Sequence, residues 1–266
     1  MGNDDSTITS IKKKFMEMWE CRDLGKIKEY LRIQVNYNRD LGFLAIDQGP
    51  YALKVVKRFG LEDCKSVRTP LPAGYAPIKN EGECTPQERS YYQQIIGSLL
   101  YLALGTRPDI IYAVILMSQF SSNPSQEHIQ KALYIVKYIA HTLNVKIVYS
   151  AKGNNKFRAY ADADWAADRN TRRSINGYVL MLAGGAVAWT SRKQKTVALS
   201  STEAEYISLS DAARQIAWVE NLFYEIGAPI KSILLSVDNQ GAIFWAQNPA
   251  QEHRSKHIDI RYHFVR

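Results

Sequence analysis

The segment 157–168, F-R-A-Y-A-D-A-D-W-A-A-D, constrains the fold more than any other stretch of the chain. Its opening residues alternate in polarity and form a half-buried strand, with Phe157, Ala159 and Ala161 on one face and Arg158, Tyr160 and Asp162 on the other. The strand closes on an acid, Asp162, and the carboxyl ends of strands in open α/β sheets are where ligands gather. Asp164 and Asp168 fall beyond the strand, where solvated or turn-capping acids are common.

The periodicity on either side differs. Upstream it is mainly helical. A helix is expected over 6–20, capped by Ser6 or Thr7, with Ile8, Ile11, Phe15 and Met18 on one stripe. The Lys12–Lys13–Lys14 run is a solvated helix face or, on a sharper reading, a phosphate contact. Strands over 30–35 and 42–47 make a hairpin, a basic amphipathic helix follows over 51–59, and 69–86 holds four of the nine prolines in an extended connector. Helices over 91–104, 109–120 and 125–142 and a strand over 145–149 lead to a linker at 151–155. Downstream, strands are expected over 157–162, 177–183, 186–190 and 196–199, with a Gly184-Gly185 turn. A long helix over 202–226, a strand over 233–237, a helix over 239–247 and a final helical piece from about 258 follow. Strands first and a βα alternation afterwards specify an α/β chain with a mixed sheet flanked by helices.

Composition narrows the class. At 266 residues and 46% hydrophobic content a sizeable core is expected. No apolar run reaches the ~18 residues that a membrane span needs. The polar, acidic start is unlike a secretory signal, and its Gly2/Ser6 match to a myristoylation pattern lacks a polybasic second signal. Three cysteines without C-x-x-C or zinc-type spacing indicate free thiols and an intracellular protein. The formal charge of +8 is shared by both halves and weakly favours a polyanionic partner.

Two further acidic segments accompany Asp162. In S-S-T-E-A-E-Y, Ser200 and Glu203 fit a helix capping box. Glu205 shares a helical stripe with Leu209, Ala212 and Ile216, so it faces the sheet and needs a cation, an arginine or hydrogen bonds. In S-V-D-N-Q-G-A, Asp238 ends an apolar strand just before a helix, as a cap or as a ligand. Oxygen ligands without His or Cys suit Mg2+ or Mn2+ rather than zinc. A pair of such ions ~4 Å apart serves phosphodiester cleavage. No nucleophile elbow, Walker loop or G-x-G-x-x-G is present in the sequence.

Y-A-D-A-D-W-A, R-R-S-I-N-G-Y, A-W-T-S-R-K-Q-K-T-V-A-L-S-S-T-E-A-E-Y, V-D-N-Q-G-A and H-R-S-K-H-I-D-I-R-Y-H-F-V-R, in this order, resemble the ribonuclease H domain of Ty1/copia-type retrotransposon Pol polyproteins. D-L-G-K-I-K-E-Y-L-R-I-Q-V and T-R-P-D-I-I-Y-A-V resemble the palm end and the thumb-to-connection region of their reverse transcriptases. The resemblance implies a partial palm, thumb and connection over 1–150, mainly helical with a β-hairpin, and an RNase H-like domain over 151–266. Asp162, Glu205 and Asp238 would be its metal-binding catalytic carboxylates, holding two Mg2+ or Mn2+ ions for hydrolysis of the RNA strand of an RNA–DNA hybrid. The partners implied are a hybrid or another nucleic acid and the remainder of a Pol polyprotein. By the same resemblance the polymerase Y-x-D-D segment and the fourth carboxylate of ribonuclease H lie outside this chain, and Asp259 is not that carboxylate. Polymerase activity is therefore not expected, and hybrid cleavage by this chain alone is expected to be weak or absent. A non-catalytic nucleic-acid-binding module, or an inactive remnant, is the alternative reading.

Overall fold

Two four-stranded sheets organise this computed structural model, which describes residues 5–152, 156–230 and 232–248. The first sheet is antiparallel, in the order β1 (Glu29–Tyr30), β2 (Ile33–Asn38), β3 (Phe43–Asp47), β4 (Ile147–Ser150). The expected hairpin is β2–β3. The strand expected over 30–35, however, is interrupted at Leu31 and Arg32, whose φ angles of 49° and 60° are left-handed and form a two-residue turn between β1 and β2. Such turns match strand twist but normally employ Asn or Gly. Here the Tyr101 hydroxyl donates to the Leu31 carbonyl and ties the turn to a helix.

The same part of the chain carries α1 (Asp5–Met18) and four helices that pack on one another, α2 (Gly49–Arg58), α3 (Pro86–Gly105), α4 (Ile111–Ser118) and α5 (Gln126–Ala140). Local chemistry fixes their ends. Thr85 and Glu88 form a reciprocal capping box on α3, and Ser125 and His128 do the same on α5. Val55, Tyr92, Leu99, Leu102, Val114 and Ile135 are fully buried where these helices meet. The break before α4 is held by Arg107, which pairs with Asp109 at 2.7 Å and donates to the Thr142 carbonyl at 3.1 Å. The proline-rich connector carries no regular element.

The second sheet has the order β7 (Gly185–Lys193), β6 (Ile175–Leu182), β5 (Arg158–Asp164), β8 (Leu234–Ser236), with β8 parallel to β5 and the other pairs antiparallel. Helix α6 (Ser201–Glu225) crosses one face, and α7 (Gln240–Gln247) packs beside it. Phe157, Ala159, Leu180 and Val219 form the core between sheet and α6. This is the RNase H-like mixed sheet flanked by helices that the sequence implies.

Three local expectations are corrected. Strand β5 continues to Asp164 rather than closing at Asp162. No strand forms over 196–199: the Leu199 N–H donates to the Glu203 carboxylate (2.8 Å), and the Ala198 carbonyl accepts from Trp165 Nε1 (3.1 Å). Side chains thus occupy groups that a ladder would need, and the segment instead leads into α6. The β6–β7 turn is Ala183-Gly184, with φ of 51° and 87°. Gly185 begins β7, where a Cβ would lie 2.6 Å from the Tyr149 ring. The Tyr149 hydroxyl donates to the Ala186 carbonyl at 2.7 Å, so this glycine is where the two sheets meet. The Gly2 pattern, the helical piece from 258, Asp259 and the H-R-S-K-H-I-D-I-R-Y-H-F-V-R segment lie outside the described residues. Among the described residues no helix is long and apolar enough to cross a membrane.

Candidate metal centre

Strand β5 alternates in burial as its sequence dictates: Ala159, Ala161 and Ala163 are buried toward α6, and Tyr160, Asp162 and Asp164 face the other way. Pairing differs on its two flanks. β6 follows β5 to Asp164, whereas the last β8 partner is the Tyr160–Ser236 pair. Two residues further along each strand come Asp162 and Asp238, level with one another where the parallel ladder has stopped. Asn239, not Asp238, caps α7, accepting from the Ala242 N–H at 3.0 Å. Asp238 therefore has no capping duty.

Helix α6 supplies the third acid. Ser200 caps it by accepting the Glu203 N–H at 3.1 Å, while the Glu203 carboxylate reaches one residue further back, to Leu199. Half of the expected capping box is thus present. Glu205 lies on the sheet-facing side as the stripe requires and is 6% exposed. Its carboxylate accepts from the Ala163 N–H, and Oε2 has no hydrogen-bond partner among the described residues.

Oxygens of Asp162, Glu205 and Asp238 all lie within 4.8 Å of one another, so the three acids singled out in the sequence form one cluster. Burial, then the charges of Asp162 and Asp238, push the Glu205 carboxyl up to about 7 against the Ala163 hydrogen bond. A buried carboxylate with an unpartnered oxygen and two acidic neighbours is costly unless protonated or neutralised by a cation. The donor set fits a hard divalent ion, with one ligand buried and two exposed. The cluster can hold a metal ion.

Ser208, not singled out from the sequence, braces this arrangement. One turn after Glu205, it directs its hydroxyl to the Asp162 carbonyl at 2.7 Å and the Gly177 carbonyl at 3.1 Å, pinning β5 and β6 beside the acidic cluster. Its place on the apolar stripe of α6 was the available signal. Asp164 accepts from the Tyr112 hydroxyl of α4 at 3.1 Å. Asp168 is buried rather than solvated. It caps the following turn through the Asn170 N–H and pairs with Lys193 at 2.7 Å. Burial disfavours its ionisation, but Lys193, Thr171 and Asn170 outweigh it and bring the carboxyl down to about 2. On α1, Lys12 pairs with Asp23 and Lys13 with Glu17, as a solvated helix face would.

A cleft of about 350 Å³ opens between α4 and the face of the sheet that carries Asp162. Tyr112, Tyr160 and Trp189 wall it, and Gly177 lies on its floor beside Asp162.

Comparison with known proteins adds relatives. The chain is 33% identical over its whole length to a retrovirus-related Pol polyprotein from transposon TNT 1-94 of Nicotiana tabacum, and 36% identical to one from transposon RE1 of Arabidopsis thaliana. It spans about a fifth of the length of each, 20% and 18%. A putative transposon Ty5-1 protein of Saccharomyces cerevisiae is 30% identical over 77% of this chain and 67% of its own. No protein-family model matches the chain, and no solved structure does.

Proposed function

Because the chain belongs to the Pol polyproteins of copia-type retrotransposons, we propose that residues 151–266 are an RNase H-like domain that hydrolyses the RNA strand of RNA–DNA hybrids. In the same reading residues 1–150 are the palm end, thumb and connection of a reverse transcriptase. The observation that carries it is the convergence of Asp162, Glu205 and Asp238 from β5, α6 and the end of β8 on one cluster.

Each residue has a distinct task. Asp162 and Asp238, both exposed, would hold a divalent ion on the solvent side, where a phosphodiester can approach. Glu205 would hold it from the buried side and is itself held by the Ala163 N–H. Ser208 fixes the backbone that carries Asp162. Magnesium or manganese, when bound, would supply an activated water and charge stabilisation at the leaving oxygen. Hybrid selectivity would rest on reading 2′-hydroxyls in a wide minor groove.

A labelled RNA–DNA hybrid incubated with Mg2+ should be cut in its RNA strand, however slowly, and Asp162→Asn should abolish cutting. Cleavage that survives Asp162→Asn, or equal cleavage of duplex DNA, would overturn the assignment. Loss of metal binding in the variant, followed by isothermal titration, is expected whether or not cleavage is fast.

A further inference from the structure

The face of the sheet that carries Asp162 continues away from the metal cluster as two adjoining clefts. In the first, Tyr112 and Pro108 roof a largely apolar floor that includes Tyr160, Gly177 and Trp189. Trp189 is anchored by its Nε1, which donates to the Ala103 carbonyl at 2.8 Å. The second cleft, about 560 Å³, lies between the proline-rich connector and the loop after β5, and Arg169 and Arg172 line it together with Asp164 and with Asp109, whose charge is paired with Arg107. Tyr112 and Asp164 line both, so their hydrogen bond is the partition between the two. Burial and then Asp164 push the Tyr112 phenol up to about 12, which keeps it a donor at neutral pH.

The sequence of surfaces is therefore a metal-binding acid, an aromatic cleft, and a cleft with two exposed arginines. Aromatic platforms joined to a positive groove are how proteins hold single-stranded nucleic acid: bases stack and phosphates meet guanidinium groups. A duplex fits the first cleft poorly. It would bring phosphates against Asp164 and apolar walls, while its bases stayed stacked inside. An unpaired base offers a π-face to Tyr112 and Tyr160 and leaves its phosphate free to reach Arg169 and Arg172. We propose that these clefts form a path for a single nucleic-acid strand leaving the metal site, with an unpaired base against Tyr112 and Tyr160 and the backbone at Arg169 and Arg172. This rests on the metal cluster being the cleavage site, but the strand path can be tested without cleavage.

The test is binding of a single-stranded oligoribonucleotide containing 2-aminopurine to the full chain in chelator, read by anisotropy and by 2-aminopurine fluorescence. Binding should change the base fluorescence, as stacking on an aromatic ring does. Tyr112→Ala and Tyr160→Ala should each weaken binding by roughly five- to a hundredfold and remove the fluorescence change. Tyr112→Phe, which keeps the ring and loses the bond to Asp164, should bind within about twofold of wild type, since the stacking face is retained. Arg169→Gln with Arg172→Gln should lower the log–log salt slope by about 1.4, two single-strand phosphate contacts. Asp238→Asn should leave this binding intact while losing metal affinity. Binding without a fluorescence change, or a change that persists in both alanine variants, overturns the path while leaving the cleavage assignment standing. Strand binding in a protein that neither binds Mg2+ nor cuts hybrids would separate the two readings the other way.

Discussion

At the scale of single residues, Glu205 carries the most readable energetics. Its carboxyl is raised from 4.5 to about 7 in the folded protein. The folded state therefore holds this proton more tightly than the unfolded chain does. Stability is greatest with respect to this group below its unfolded value and falls as pH rises from there through about 7, by on the order of 2 kcal/mol. In chelator, the urea midpoint should drop across that window, and Glu205→Gln should flatten the drop and raise the midpoint near neutral pH. An unchanged slope in the variant would refute this account. Ser208 provides a second case, because one hydroxyl serves two strand carbonyls. Ser208→Ala should cost about 1 kcal/mol in stability. It should also weaken metal binding severalfold in calorimetric titration, although Ser208 is not a ligand.

At the scale of elements, two-residue turns show what the sequence conceals. Ala183-Gly184 is signalled by its glycine, whereas Leu31-Arg32 has no turn residue, and an alternating pattern around it reads as an unbroken strand. Replacing the pair by Asn-Gly should stabilise the fold by about 1–2 kcal/mol, measured as a higher thermal midpoint, because both positions are left-handed. A lower midpoint would mean that the Leu31 side chain matters more than its backbone. Helices were legible because stripes are local, and Ser200 caps α6 as expected; Thr85 caps a helix that starts at Pro86, five residues before the expected 91, and Ser125 is a cap where a first helical residue was expected. Strands were less so. Residues 196–199 have the alternation of a strand, but Trp165 and Glu203, distant or downstream in sequence, decide where their backbone groups bond. That three acids cluster could be read in part because Glu205 lies on the sheet-facing stripe of α6 and Asp162 and Asp238 lie in or just after a strand, although Asp162 does not end β5 as expected. The contacts from α4, such as Tyr112 with Asp164, leave no mark in local periodicity.

At the scale of the whole molecule, the two sheets are joined by a few close contacts. These include Tyr149 against Gly185 and Ala186, Trp189 bonded to α3, Tyr112 bonded to Asp164, the Ser150 N–H bonded to the Ala183 carbonyl, and Asn170 bonded to the Lys79 N–H and the Pro77 carbonyl of the connector. A divalent ion that binds only the folded chain should stabilise all of it. Magnesium at about a hundred times its dissociation constant should add about 2.7 kcal/mol, seen as a higher melting midpoint that EDTA reverses and Asp238→Asn abolishes. The early end of the β5–β8 ladder gives this linkage a location. Beyond Tyr160 and Ser236 the two strands stand level but share no amide bond, and their next outward groups are Asp162 and Asp238. An ion held by those carboxylates would act as an ionic rung where the peptide rungs cease, closing a fork that like charges would otherwise spread. Amide hydrogens of Ala159, Leu235 and Ser236 should then exchange more slowly with metal present than in chelator, while those between β6 and β7 change little. In that sense the fork would be a zip whose last tooth is inorganic.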